Sequence, residues 1–268
     1  METTVNGATF HMNYRVYKDP RVVSITPHSH NGSELIYILE GEVSYVIEDR
    51  EFRLRPYDLV ITRPNKHHYL KVHNSTPYRR YNLIFDPSVF PLGEEMLPDS
   101  LEVVNCRGTA MGEVFSRLRY YLGAFSGQML EVLTEGLLRE LLCNLSLTTG
   151  NTAEPVVLSA LVSEGLKYIG DNLFTIGSVK EVSDRLFVTE AYFHRAFRRQ
   201  MKTSPMKYIT DKRLLAAQRL IREGARPTEI YSQVGFRTYP AFFKRYVAFF
   251  GCAPSRDKGE LGSFGEEE

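Results

Sequence analysis

The strongest constraint on this chain is a pattern of capped, amphipathic helices that occurs twice in its C-terminal part, about 49 residues apart. Ser178-Val179-Lys180-Glu181 reads as a capping box, with Ser at the N-cap and Glu at N3, opening a helix that ends near Leu186-Phe187. Thr189 caps a second helix over Glu190 to Met201. Tyr192, Phe193, Ala196 and Phe197 lie on one face, and His194, Arg195, Arg198 and Arg199 on the other. Glu181-Val182 is echoed by Glu229-Ile230, and Thr189, Phe193, Arg195 and Phe197 by Thr238, Phe242, Lys244 and Tyr246. Two short helices joined by a tight turn, the second lined with bases, describe a helix-turn-helix. Between the copies a helix starts at Ser204-Pro205, runs to about Arg222 and stops before Gly224. Its 18 residues span about 27 Å, a length suited to recognition helices about one DNA turn, ~34 Å, apart. A helical bundle with a solvated basic face explains the charge, but neither the duplication nor the phased caps.

Charge follows the same division. Residues 1–155 carry 15 Lys/Arg against 19 Asp/Glu, residues 156–258 carry 18 against 9, and the last ten carry four Glu and no base. A basic block after a mildly acidic one points to a module for a polyanion joined to a module for something else. Apolar residues at 43% and charged residues at 24% exclude a disordered or collagenous chain. No apolar run approaches the roughly 20 residues of a membrane helix, and no signal peptide is readable at the N-terminus. Cys106, Cys143 and Cys252 are too few and too scattered for a disulfide framework or zinc cluster. A cytoplasmic protein is expected.

The first ~90 residues read as short strands such as GEVSYVI, EFRLR and DLVITR, separated by turn signals. From about Gly112 the period becomes helical: Val114, Phe115, Leu118, Tyr121 and Leu122, then Leu130, Leu133, Leu137, Leu138, Leu141, Leu142 and Leu145. Gly123 to Gly127 turns these into a hairpin, whose leucine stripe either packs on the β-domain or also pairs with a second copy. Thr149 to Pro155 is linker-like.

Within the strands, His28-Ser29-His30, Glu34 and Gly41 form HxHx3Ex6G, followed by Asp58 and Pro64-Asn65-Lys66-His67-His68. Even spacing places His28, His30, Glu34, Ile36 and Ile38 on one strand face, and a later strand can bring His68 to the same place. The pattern resembles the two motifs of the cupin superfamily, with Tyr57 and Asn65 where the second motif has glycines. The resemblance implies a small β-barrel over about residues 14–90. Three readings are open: an organic-ligand pocket without metal, which is the expectation; a divalent metal site at His28, His30, Glu34 and His68; and a purely architectural hydrogen-bonded set.

The C-terminal region resembles the DNA-binding domain of the AraC/XylS family, on Tyr208-Ile209, Arg213-Leu214, Ala217, Glu229-Ile230, Val234-Gly235-Phe236 and Phe242. A cupin-like sensor ahead of it is the family's usual arrangement. The resemblance implies base-reading positions Ala191, His194 and Arg195 in the first copy and Tyr239, Pro240, Phe243 and Lys244 in the second. Arg198, Arg199, Lys207 and Arg245 are candidate phosphate contacts. Arg195 can pair with guanine, whereas the second helix is poor in polar readers. Departures are Lys202 for a glycine, Tyr231 and Ala241 read as a compensating volume swap, and Asp257-Lys258 near the end, where a short or frayed last helix is expected. An N-terminal arm (residues 1–13) folded over the pocket is a further analogy.

The expected fold is therefore α+β in two domains: a sensor and dimerisation domain over 1–148 (antiparallel barrel, then a helical hairpin over about 110–148), a linker over 149–155, an all-α domain with two helix-turn-helix motifs over 156–258, and an acidic tail over 259–268. The expected function is sequence-specific regulation of transcription, controlled by a small-molecule effector such as a sugar or related metabolite. The expected partners are double-stranded DNA, a second copy of the chain and, for an activator, RNA polymerase. No catalysis and no cofactor are expected. The alternative is a metal-dependent cupin enzyme fused to a helical domain.

Overall fold

The computed structural model describes residues 2–19, 27–73, 76–86, 97–98 and 100–257; the acidic tail lies outside them. The N-terminal part is built from β1 (Thr3–Asn6), β2 (Phe10–Tyr17), β3 (Ser33–Glu40), β4 (Val43–Ile47), β5 (Arg50–Leu54), β6 (Asp58–Thr62), β7 (His68–Val72), β8 (Tyr78–Phe85) and β9 (Val103–Asn105). The helices α1 (Ala110–Ala124) and α2 (Gly127–Ser146) follow. The strands form a six-stranded sheet in the order β1-β2-β8-β3-β6-β9 and a four-stranded sheet in the order β10-β5-β4-β7, where β10 is Val156–Val157. Every strand pairing among the described residues is antiparallel.

This corrects the expected closed barrel to two facing sheets. No strand ladder among the described residues joins one sheet to the other; the six-stranded sheet ends at β1 and β9, the other at β10 and β7. Alternation along β3 shows the layering. Ile36 and Ile38 pack between the sheets with Tyr45, Phe52, Leu54 and Tyr78, while Leu35 and Tyr37 face the helical hairpin. A strand buried on both faces explains why its sequence, SELIYILE, is apolar almost throughout. Residues 3–6, part of the N-terminal arm expected over the pocket, pair with β2 as the edge strand, with Thr3 in the lining of a cavity.

The leucine stripe is spent within the chain. Leu130, Leu137, Leu138, Leu141, Leu142 and Leu145 are buried in the same cluster as Tyr37, Leu83, Phe85 and Phe115. That outer sheet face carries large apolar residues, and the hairpin is what removes them from water. The segment after it is pinned rather than loose. Asn151 Oδ1 accepts from the backbone amides of Glu102 and Val103 at 2.6 and 3.0 Å, and β10 then pairs with β5.

The C-terminal part consists of α3 (Ala160–Asp171), α4 (Val179–Arg185), α5 (Glu190–Met201), α6 (Pro205–Arg222), α7 (Pro227–Ile230) and α8 (Tyr239–Phe250). Two apolar clusters divide it, one gathering α3, α4 and α5, the other centred on the second half of α6 with α7 and α8. Arg213 on α6 joins the halves. Its buried guanidinium donates to the carbonyls of Leu173 and Ile176 on one side and Gly235 on the other, at 2.8, 2.6 and 2.8 Å. Gly235 has φ +84°, and a Cβ there would stand 2.7 Å from the guanidinium carbon, so the sequence has glycine where backbone and arginine meet.

Candidate nucleic-acid interface and effector site

Both recognition helices begin in the same way. The Thr189 hydroxyl accepts from the Tyr192 amide and the Thr238 hydroxyl from the Ala241 amide, which satisfies one free N–H at each start. In α5, Phe193, Ala196 and Phe197 are buried, and Ala191, Arg195, Arg198 and Arg199 are exposed, with His194 half-buried. In α8, Phe242 and Tyr246 are buried, Pro240, Phe243, Lys244 and Arg245 are exposed, and Tyr239 is half-buried. No carboxylate pairs with Arg195, Arg198, Arg199 or Lys244 among the described residues, whereas Lys207 is 2.6 Å from Asp211. Unpaired guanidinium and ammonium groups on one exposed helix face are free to meet phosphates and guanine edges. Phe187, in the turn between α4 and α5, is 90% exposed with φ +56°. No periodicity or motif marks this exposed apolar side chain in the sequence.

Of the departures from the family pattern, the volume swap is corrected, Lys202 keeps the glycine conformation, and the last helix is short (Pro254–Arg256) but not frayed. Tyr231 packs edge-on against Tyr239 at 5.9 Å, and Ala241 is exposed, so no buried volume at Ala241 needs compensating. Lys202 adopts the left-handed cap of α5 (φ +56°), the conformation for which glycine is suited. The end of the domain is tied down, since Asp257 accepts from Tyr246 Oη, Gln218 Nε2 and Arg222 Nε at 2.8, 2.6 and 3.2 Å.

In the N-terminal domain, His28 and His30 precede β3 rather than lying on it, so strand alternation does not align them with Glu34. A turn brings them together instead. His28 forms an isolated antiparallel bridge with His68, and ring centroids lie 4.4 Å apart for His28–His68, 5.0 Å for His30–His68 and 5.6 Å for His28–His30. Glu34 Oε2 is 3.0 Å from His68 Nε2 and 4.0 Å from His30 Nε2, and it accepts from Tyr45 Oη at 2.7 Å. His30, Glu34 and His68 are buried. Burial opposes charge on Glu34, but the adjacent His68 holds its carboxyl well below the usual range. Burial likewise opposes charge on His68, and Glu34 outweighs it, raising the imidazole. Burial and His68 push His30 down to about 3. Ile36 and Ile38, expected beside these residues as pocket lining, are filled against the other sheet. A separate cavity of about 660 Å³ lies under α1, lined by Tyr14, Tyr37, Tyr57, Tyr81, Phe115 and Arg119. Sequence reasoning missed it, because its walls come from strands and a helix far apart in the chain.

The two domains meet in a polar contact. Glu48, at the β4–β5 turn, accepts from Lys212 Nζ at 2.6 Å and from Tyr208 Oη at 2.7 Å, both on α6. Asn31 Nδ2 donates to Gln218 Oε1 at 2.6 Å. His67 Nε2 donates to the Met201 carbonyl at 2.9 Å, and Tyr69 Oη to the Gln200 carbonyl at 2.6 Å. These last two satisfy carbonyls at the end of α5 that have no partner within the helix.

Residues 182–258 match the family model of a helix-turn-helix domain, and residues 13–94 that of an AraC-like ligand binding domain. The chain belongs to the AraC family of transcriptional regulators. The HTH-type transcriptional regulator YobQ of Bacillus subtilis is 24% identical over 88% of this chain and 90% of its own length. The probable transcriptional regulator LumQ of Photobacterium leiognathi is 32% identical over 90 residues, 33% of this chain and 36% of that protein. Among solved structures, ToxT of Vibrio cholerae aligns over 92% of this chain and 97% of its own, at 11% identity and a TM-score of 0.38. The DNA-binding domain of AdpA, in complex with a target DNA, aligns over 36% of this chain and 88% of its own at 23% identity and a TM-score of 0.35. No helix among the described residues of this AraC-family chain is long and apolar enough to cross a membrane.

Proposed function

We propose that this AraC-family regulator binds a bipartite site on double-stranded DNA, with α5 reading base edges and α8 chiefly anchoring, and that an effector held in the N-terminal domain controls the binding. The observation that carries this reading is the pair of matching helices, each capped by threonine and each presenting an exposed basic face with its apolar face buried. Arg195 and His194 supply hydrogen bonds to bases, Ala191 a thymine-methyl contact, and Arg198 and Arg199 phosphate contacts. Pro240 and Phe243 give α8 apolar contacts, with Lys244 and Arg245 toward guanine or phosphate. The reading assigns the chain no turnover and places it in the cytoplasm with the DNA.

A homodimer belongs to the same proposal, on a different face from the leucines. Met129, Val132, Gly136, Cys143 and Leu147 are exposed on α2 and its end at spacings of 3, 4, 7 and 4, a seam against which a second α2 can pack. Retardation of labelled DNA from upstream of the protein's own gene tests the whole reading. The expected result is a shifted band that weakens steeply with salt and a dimeric mass by light scattering, lowered to a monomer by Val132→Lys. Equal affinity for unrelated DNA refutes sequence-specific regulation, and a wild-type monomer both free and on DNA refutes the dimer.

A further inference from the structure

On the outer face of the six-stranded sheet, one register row differs from its neighbour. Met12 on β2, Leu83 on β8, Leu35 on β3 and Ile61 on β6 are aligned, and all are buried with the helical hairpin. Two residues along, the aligned set is Thr3, Tyr14, Tyr81 and Tyr37, on β1, β2, β8 and β3. All four line the cavity of about 660 Å³ under α1. Tyr37 stacks on Phe115 of α1 with ring centroids 3.8 Å apart, and Tyr14 meets Tyr81 at 5.1 Å. Tyr57 adds a further ring from the turn before β6. It is held at φ +77°, in the left-handed region that favours glycine, by backbone hydrogen bonds to Ile38 and Cys106.

The row brings hydrogen-bond donors into this aromatic space. Tyr37 and Tyr81 are only 3% and 2% exposed, yet neither hydroxyl has a protein partner among the described residues. A buried hydroxyl is costly unless it is paired. The Tyr37 phenol is close enough to those of Tyr57 and Tyr81, and the Tyr81 phenol to that of Tyr14 and to the Arg119 guanidinium, for each to act on the other's ionisation. Burial raises the Tyr37 phenol and pushes Tyr81 up to about 12, so both keep their protons as donors. Two arginines line the same cavity. Arg79 is matched by Glu40 at 2.5 Å, whereas Arg119, exposed on α1, has no carboxylate partner among the described residues. Flat apolar rings, convergent O–H donors and one unmatched positive charge suit a flat ligand that accepts hydrogen bonds and carries a negative charge. The volume lies within the roughly 300–1,000 Å³ of small-molecule sites and exceeds the needs of a single ring.

We propose that the cavity under α1 binds a planar aromatic carboxylate of two or three rings, and that this molecule is the effector of the chain. Its carboxylate pairs with Arg119 through two parallel hydrogen bonds and accepts from the Tyr81 hydroxyl. Its rings lie among Tyr14, Tyr37, Tyr57 and Phe115 in offset and edge-on contact. Bound there, the ligand ties α1 to β2, β8 and β3. The helix α2 packs on α1 and carries the exposed Met129 and Val132 of the dimer seam, so occupancy reaches the DNA through the pairing of two chains. The effector half rests on the DNA-binding and dimer reading above; the binding half does not.

The test uses the full chain. Naphthoate and anthracenecarboxylate are titrated calorimetrically beside naphthamide, which has the rings without the charge, and decanoate, which has the charge without the rings. The expected result is one aromatic acid bound per chain, with the amide and decanoate at least tenfold weaker. Arg119→Gln weakens the acid at least tenfold and Tyr81→Phe three- to tenfold, and circular dichroism confirms that each variant is folded. DNA affinity is measured by anisotropy on a duplex selected from random sequence by the wild type. It changes at least fivefold with saturating acid, DNA changes the affinity for the acid by the same factor, and Arg119→Gln loses the change. Failure of both acids to bind saturably, or equally tight binding of the amide or decanoate, overturns the ligand class. Binding that neither substitution weakens overturns the site. Binding that leaves DNA affinity within twofold overturns the effector role, and loss of DNA binding in every state marks failure of the DNA-binding reading instead.

Discussion

The two helix-turn-helix units are built on one plan and differ in what holds them. In the first, α4 has seven residues and a side-chain cap from Ser178, and α5 rests its last turn on the N-terminal domain. In the second, α7 has four residues and no side-chain cap at its start, and α8 is filled with aromatic residues: Tyr239, Phe242, Phe243, Tyr246, Phe249 and Phe250. Exposed polar side chains are concentrated on α5, whose last turn meets the N-terminal domain, and aromatic bulk on α8. The two units thus share a plan and differ in support: the first rests on the N-terminal domain through the end of α5, the second on its own aromatic packing.

If Arg213 is what makes the two units one body, Arg213→Ala will have the largest effect on stability. Three carbonyls, one buried and two partly buried, lose their donor, at about 1–3 kcal/mol for a fully buried group left unsatisfied and less for the others. The expected loss is about 3 kcal/mol or more in urea unfolding of the DNA-binding part, with the two units melting separately. A single transition at the wild-type midpoint breaks the comparison.

Glu48 tests what distinguishes the first unit. Burial opposes its charge, but Lys212 outweighs this and lowers its pKa from 4.5. Its contribution is therefore complete above about 4.5 and is lost as pH falls through the lower folded value. Glu48→Gln leaves Lys212 without its charge partner, a change that costs about 3–5 kcal/mol in a fully buried pair; here undocking of the domains limits the loss. Hydrogen exchange at the end of α5 is expected to rise several-fold in the variant, and in the wild type as pH falls progressively below about 4.5, while α8 stays protected. Equal deprotection of both helices contradicts the asymmetry.

The smallest effect is at the helix ends. Both recognition helices finish with a left-handed residue, Gly251 at φ +73° and Lys202 at φ +56°. Lys202→Gly is expected to stabilise the protein by about 0.5–1 kcal/mol, seen as a higher melting temperature, because glycine occupies that region without steric cost. No gain would mean that the lysine side chain supplies an offsetting contact.

Lys202 also shows what was legible in the sequence. It stands where the family pattern has glycine, and so do Tyr57 and Asn65, which adopt φ +77° and +65°. The backbone conformation persisted although the residue signalling it had changed. Helices α4, α5 and α6 were readable almost to the residue, because capping and 3.6-residue periodicity are local. The closed barrel and the strand alignment of His28 and His30 were misread, and the leucine stripe was left open between two partners, because each depends on which surface a segment meets. The Glu48–Lys212 contact links residues 164 positions apart and carries no local pattern.

The most direct test of the account is selection of bound sites from random DNA by the wild type, Arg195→Ala and Lys244→Ala in parallel. A bipartite wild-type site is expected. Arg195→Ala should lose preference at one position and about 1–3 kcal/mol of affinity for the selected site, and Lys244→Ala should lose affinity with less change in preference. Unchanged selectivity in Arg195→Ala, or a greater loss of selectivity in Lys244→Ala, would contradict the assignment of α5 as the reader.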